Sequence, residues 1–171
     1  MSFSIRRLNR KHLDAYIAIR LEALRNHPEA YGTSAESFAA RPPEEVDEFL
    51  SRRAVFGVMT AADTLAGIVV YDRDAGERAS HRGWLLQVYV RPELRGTGAA
   101  LALLEAAAEH ARSEVIQLHL MVGTHNQPAI RLYERAGFKI YGTEPRSLCV
   151  NGRYIDEHLM VRFLDKAPGD E

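Results

Sequence analysis

Cysteine is almost missing from this chain: Cys149 stands alone among 171 residues. That excludes an internal disulfide framework and fits a reducing compartment. Long apolar runs are missing too. The opening Met1-Ser2-Phe3-Ser4-Ile5-Arg6-Arg7 lacks the apolar stretch of a signal peptide. Elsewhere the longest apolar stretches fall far short of the ~20 residues that span a bilayer. Charge of one sign is equally scarce. The formal net charge is -1, so no global basic field grips nucleic acid. The doublets Arg6-Arg7 and Arg52-Arg53 read as solvated faces. Neither internal repeats nor low-complexity linkers break the sequence. A soluble, cytoplasmic protein without membrane or nucleic-acid partners is the default reading.

What is present fits one globular domain. Hydrophobic residues make up 46% and charged residues 26%, enough apolar surface for a core without staples. Residues 1–165 read as a single domain, and 166–171, with Pro168 and Gly169, as a flexible tail.

Ser4 to Leu8 alternates like a short strand. Asn9 then caps a helix to about Asn26, with Leu13, Ile17, Leu21 and Leu24 as its buried stripe. Two short helical pieces follow, the second from Pro42-Pro43 to Arg52 or Arg53. Ala54–Thr60, Leu65–Arg73 and Trp84–Val90 carry the period of strands, with a loop from Asp74 to Arg82. A helix from Gly98 to Ser113 presents Leu101, Leu104, Ala108 and Ala111 to the core, and Glu105, Glu109 and Arg112 to solvent. Val115–Val122 is a strand, and Gln127–Ala136 a short helix ended by Gly137. The remainder is two strands turning at Asn151-Gly152. The order β, α, α, β, β, β, α, β, α, β, β is neither a regular βαβ repeat nor all antiparallel. It predicts an α/β (α+β) fold with a central mixed β-sheet flanked by helices.

The densest chemistry lies where Leu86-Gln-Val-Tyr-Val90 runs through Arg91-Pro92-Glu-Leu94 into Arg95-Gly96-Thr97-Gly98-Ala99-Ala100. The first amides of a helix have no internal partners and sit at the positive end of its dipole. Gly96 and Gly98 let an anion approach the backbone, and Arg95 adds a charged fork. No lysine-serine pair ends the turn, as it would in a P-loop. Leucine at position 101 also departs from a dinucleotide fingerprint. On its own, such a turn can also be a tight strand-to-helix connection.

Two blocks together resemble a known family. Val90-Arg-Pro-Glu-Leu-Arg95-Gly-Thr-Gly98-Ala-Ala100 is similar to the acetyl-CoA signature of the GNAT superfamily of N-acetyltransferases: Arg or Gln, two residues, Gly, one residue, Gly or Ala. Asn126-Gln-Pro-Ala129-Ile-Arg-Leu132-Tyr133-Glu-Arg-Ala-Gly137-Phe138 resembles its downstream segment. The resemblance implies a GNAT-like acyl-CoA N-acyltransferase fold. It implies acetyl-CoA as co-substrate, without a metal, and an acetyl transfer to a primary amine by direct attack in a ternary complex. Arg95, Gly96, Thr97, Gly98, Ala99 and Ala100 would hold the pyrophosphate, and Val88, Val90, Asn126 and Tyr133 the remainder of the cofactor. The amide of Val88 or Tyr89 would stabilise the oxyanion. Tyr133 would protonate the departing thiolate. A homodimer is also implied.

Other residues carry weaker signals. Tyr133 is also a plausible core aromatic, and Asn126 a helix cap. The family often places a glutamate as general base where this chain has Gln87. Glu36, His81, Asp156, Glu157 and His158 remain candidates, alongside an amine already deprotonated in bulk. The acceptor pocket is expected from Tyr31, Glu36, Tyr154, Asp156 and Glu157, a mix suited to a cationic amine. A small-molecule amine is favoured, with a peptide N-terminus or lysine side chain open. A non-catalytic acyl-CoA-binding module, or a different phosphate binder, is the rival reading. Cys149 reads as a small core residue. None of the seven histidines forms a recognised metal pair, and His119 and His125 merely flank a strand end.

Overall fold

The computed structural model describes residues 2–166; residues 167–171 of the expected tail lie outside the described residues. Twelve main elements follow one another: β1 (Phe3–Arg7), α1 (Leu13–Asn26), α2 (Ala35–Ala39), α3 (Pro43–Arg52), β2 (Ala54–Thr60), β3 (Leu65–Arg73), β4 (Arg82–Val90), α4 (Ala99–Ala111), β5 (Gln117–Gly123), α5 (Gln127–Arg135), β6 (Lys139–Val150) and β7 (Arg153–Phe163). The strands form one seven-stranded sheet in the order β1-β2-β3-β4-β5-β7-β6. Every neighbouring pair is antiparallel except β4 and β5, which α4 joins in parallel. The sheet is therefore mixed, as the order of elements predicts.

Both faces of the sheet are covered, which explains why β3 is buried from Leu65 through Tyr71. On one face Leu103, Leu104 and Ala107 of α4 pack with Val58, Val69, Leu118 and Met160. On the other, Tyr16, Ile19 and Ala23 of α1 pack with Val55, Ile68 and Val70. Among the described residues no helix is long and apolar enough to cross a membrane.

Several local expectations are corrected. Asn9 caps a 3-10 turn over Arg10–His12, and α1 begins only at Leu13. The buried face of α1 is Tyr16, Ile19, Arg20, Ala23 and Leu24, so of the expected stripe only Leu24 is fully buried. Leu13, Ile17 and Leu21 flank it. In α4 Leu104, Ala108 and Ala111 face the core together with Leu103 and Ala107, whereas Leu101 is half-buried beside it. The two short helical pieces form separate helices, α2 and α3, so three helices precede β2. Cys149 is exposed, not a core residue. It pairs with Tyr154, also exposed, near the Asn151-Gly152 tip of the β6–β7 hairpin, where β6 forms the sheet's edge.

The feature that makes a site is a seam between β4 and β5. Their pairing covers only Arg82, Gly83 and Trp84 of β4 against Gln117, Leu118 and His119 of β5. Beyond Trp84, the register of β4 against β3 shifts between Ile68 and Val70, and Gln87 takes a left-handed backbone with φ 57°. An extra residue of this kind bends and twists a strand. The bend carries Val88 and Val90 away from β5, and the two strands part.

Candidate active site

A cleft of about 1120 Å³ occupies this seam. Its walls come from Trp84–Val90 of β4, Met121–Gly123 of β5, the first turns of α4 and α5, the Tyr31–Thr33 segment and the base of the β6–β7 hairpin.

At one end lies the glycine-rich turn. Gly96 and Gly98 have φ values of 75° and 86°, a region glycine enters without steric cost. A Cβ built at either position meets nothing within 4 Å, so the space in front of this backbone is open. The Ala102 amide makes the first intrahelical bond, to Gly98 O, and the Ala99 amide bonds the Thr97 hydroxyl oxygen. Among the described residues the amides of Gly96, Gly98, Ala100 and Leu101 have no protein acceptor. Arg95 is exposed beside them, with its Nε 3.4 Å from Val90 O. An anion-binding turn needs these features together.

The middle of the cleft is lined by β4. Arg91 N–H donates to Ala66 O. Ladder bonds alternate along an antiparallel pair, so Tyr89, opposite Ile68, turns its amide toward β3. Val88 and Val90 turn theirs into the seam. Of the two amides expected to stabilise an oxyanion, Val88 is therefore the one that faces the cleft, and Tyr89 is corrected. The Tyr89 ring is buried, and its hydroxyl donates to Glu22 at 2.8 Å. Val88 O accepts the Tyr31 hydroxyl at 2.9 Å.

Tyr133 and Asn126 both line the cleft from α5. Asn126 caps that helix by accepting from the Ala129 amide, so the cap reading holds, and among the described residues its amide nitrogen is unengaged. Tyr133 is buried, its ring edge-on to Phe138 at 6.3 Å. Among the described residues its hydroxyl makes no hydrogen bond, and burial raises its pKa far above the usual phenol value. It stays protonated at neutral pH, the state a proton donor needs.

Of the expected acceptor residues, Tyr31 and Glu157 line the cleft; Glu36, Tyr154 and Asp156 do not. Glu36 is exposed on α2, Tyr154 lies at the hairpin tip under Arg146, and Asp156 accepts from the Arg146 amide. Among the candidate bases, His81 and His158 also lie outside it. Glu157 alone of those five is in place, 8% exposed, with Oε1 accepting the Ser147 hydroxyl at 2.6 Å. His119 is buried in β5 between Gln117 and Tyr141, while His125 lines the cleft. Among the described residues no cluster of His, Cys, Asp or Glu could hold a metal.

Sequence reasoning missed three residues of the acceptor end. Arg20 lines the cleft and is 4% exposed. Glu144, opposite Glu157 in the β6–β7 register, lines it as well. Tyr16 lies just behind, its hydroxyl donating to Gln87 Oε1 at 2.6 Å. A polar residue on the apolar face of α1 was the available signal for Arg20.

Residues 21–138 match the acetyltransferase (GNAT) family, and the chain belongs to it. The L-methionine sulfoximine/L-methionine sulfone acetyltransferase of Pseudomonas aeruginosa is 31% identical, with 96% of each chain covered. The mycothiol acetyltransferase of Propionibacterium freudenreichii is 29% identical over 77% of this chain, which spans only 41% of that longer protein. Among solved structures, YncA from Salmonella typhimurium with its cofactor acetyl-CoA superposes with a TM-score of 0.83 at 18% identity, covering 100% of this chain and 99% of that one. Acetyl-CoA is the co-substrate of this class of enzyme. The open glycine turn, its unengaged amides and the seam leading from it fit that molecule.

Proposed function

We propose that the chain transfers the acetyl group of acetyl-CoA to a primary amine of a small molecule, by direct attack in a ternary complex. One observation carries this reading: an anion-ready turn at Gly96–Ala100 opens into a seam that ends beside a protonated Tyr133, whose hydroxyl has no hydrogen bond among the described residues. Acetyl-CoA supplies an activated thioester. Arg95 and the amides of Gly96, Gly98 and Ala100 hold its pyrophosphate, with Thr97 and Ala99 shaping the turn. Val88, Val90 and Asn126 hydrogen-bond the pantetheine arm.

The Val88 amide faces the thioester carbonyl and stabilises negative charge as the amine attacks. The Tyr31 hydroxyl holds the adjoining Val88–Tyr89 peptide by donating to Val88 O. Glu157, directly or through water, takes the proton that the amine sheds. As the new C–N bond forms, the C–S bond breaks and Tyr133 passes its proton to the thiolate. Gln87, where a glutamate base is common, favours a non-catalytic acyl-CoA-binding module as the rival. Glu157 in the same cleft supplies the carboxylate that rival lacks.

The name of the Pseudomonas aeruginosa relative supports a small-molecule acceptor. Residues 1–165 act as one domain in this reading, in the cytoplasm, and the implied homodimer is measurable by sedimentation.

The test has two parts. Acetyl-CoA at about 100 times its Kd stabilises the fold by about 2.7 kcal/mol, which for a chain of this size raises Tm by roughly 5–10 °C. Gly98→Val abolishes that shift, because a side chain at φ 86° disrupts the turn. CoA release across a panel of amines then separates enzyme from binding module. A Gly98→Val chain that keeps the full shift overturns the placement of the pyrophosphate.

A further inference from the structure

Arg20 lines the cleft, and the transfer reading leaves its buried cationic chemistry unused. It sits on the buried face of α1, and its Nε and Nη1 are sealed from solvent without a hydrogen-bond partner. Among the described residues it has no ion pair. Its guanidinium lies over the Tyr31 ring, 4.6 Å from the centroid. An unpaired buried charge is expensive, and natural chains pair such charges or put them to use. A ring contact alone does not account for it, since a methionine would support Tyr31 without the desolvation cost.

The surroundings of Arg20 are arranged to leave its charge uncompensated. Tyr16, one helical turn earlier on the same face, holds Gln87 by its carbonyl oxygen. Gln87, a neutral group held by Tyr16, lines the same cleft as Arg20, and among the described residues its amide nitrogen donates to nothing. Arg41 is the other charged group felt at this spot, and it is also positive. The carboxylates Glu144 and Glu157 line the cleft from the β6–β7 hairpin instead. Tyr31 links the two regions, with its ring on Arg20 and its hydroxyl on Val88 O. Arg20 is thus about one tyrosine's length from Val88, the residue whose amide faces the thioester in the transfer reading.

Resting on the transfer reading above, we propose that Arg20, with the Gln87 amide, binds the carboxylate of an α-amino acid acceptor, whose amine then lies toward Glu157 and Val88. The bound anion supplies the partner that the fold withholds from the guanidinium. A carboxylate at position 87 would supply it internally, which gives a reason for glutamine there. The acceptor is accordingly zwitterionic, not a simple cationic amine.

The experiment uses the full chain, acetyl-CoA, and the α-amino acids paired with their carboxamides, read by CoA release. The best carboxylate is expected to exceed its carboxamide roughly tenfold to a hundredfold in kcat/KM. Arg20→Gln is expected to erase that preference through KM for the carboxylate, leaving the acetyl-CoA thermal shift in place. Carboxamides used as well as carboxylates by the unaltered chain overturn the proposal. So does an Arg20→Gln chain that keeps the preference. Should Arg20→Gln not fold, Gln87→Glu serves instead and must weaken the carboxylate acceptor more than the carboxamide; equal effects on both overturn the assignment. A chain that binds acetyl-CoA yet acetylates no amine defeats the transfer reading alone. Calorimetry with N-acetyl amino acids and their carboxamides on the CoA-loaded protein then decides the anion site, and equal binding of the two refutes it.

Discussion

Tyr133 concentrates the chemistry of the proposed reaction in one hydroxyl. Its burial keeps the proton on, and the lack of an acceptor among the described residues leaves the O–H free to point into the cleft. Tyr133→Phe removes only that oxygen and retains the edge-on packing against Phe138. The expected result is a fall in kcat of about a hundredfold or more, with the acetyl-CoA thermal shift unchanged; steady-state kinetics and a melting curve measure the two. An unchanged kcat would mean that the thiolate draws its proton from elsewhere. At this scale the sequence was a partial guide. Gly96 and Gly98 as a turn and Asn126 as a cap were legible because those features are local, whereas the role proposed for Tyr133 comes from the family resemblance and not from its helix position. Arg20 and Glu144 acquire meaning only from groups far along the chain, and no spacing pattern announces that. Glu157 stood undistinguished among five candidates until the fold put the other four outside the cleft.

Among the elements, α1 and the end of β4 are tied by a polar cluster at Glu22, in addition to the Tyr16–Gln87 bond. Arg91 donates from Nε to both oxygens of Glu22 and from Nη2 to Oε2 at 2.9 Å, while the Tyr89 hydroxyl donates to Oε1. This clamp sits just past the bent part of β4 and fixes the strand as it leaves the sheet. Burial works to raise the Glu22 pKa, but its bonds from Arg91 and Tyr89 prevail and hold it below the usual 4.5. A depressed carboxyl contributes stability above its unfolded pKa and loses it as pH falls through the folded value. Both partners are partly exposed, so Glu22→Gln costs about 1 kcal/mol near pH 7. That difference should shrink as acid takes the pH down through and below the carboxylate range. Urea titrations of the two proteins at several pH values measure it. The strands β2 and β3 were readable to the residue, since a central strand covered on both faces is an apolar run between turns. The face of α1 was misjudged because Tyr16, Ile19 and Arg20 bury a side that simple apolar counting does not favour. Cys149 was misassigned because a hairpin tip extends past the core. The bulge at Gln87 has no local signature at all: an unremarkable glutamine adopts a positive φ because the strand must bend there.

Across the whole molecule, two phenols, Tyr16 buried and Tyr31 half-buried, bracket the acceptor end and link stability to alkali. Burial pushes Tyr16 and Tyr31 from the ordinary 10.0 to about 12, against the opposing pull of Arg20. A raised phenol favours the neutral fold fully below pH 10, and that contribution disappears as pH climbs from there toward about 12. Denaturant midpoints should therefore drop steeply above pH 10, and Tyr16→Phe should flatten the drop; a midpoint indifferent to pH in that window would contradict the assigned burial. The parted strands have a consequence on the same scale. Wherever β4 and β5 fail to pair, the chain forgoes ladder bonds that a plain sheet would keep, and it does so in the centre, where cohesion is greatest. Robustness and turnover are thereby set against each other. A redesign that straightened Gln87 and zipped the halves together would give a hardier protein with nowhere to work.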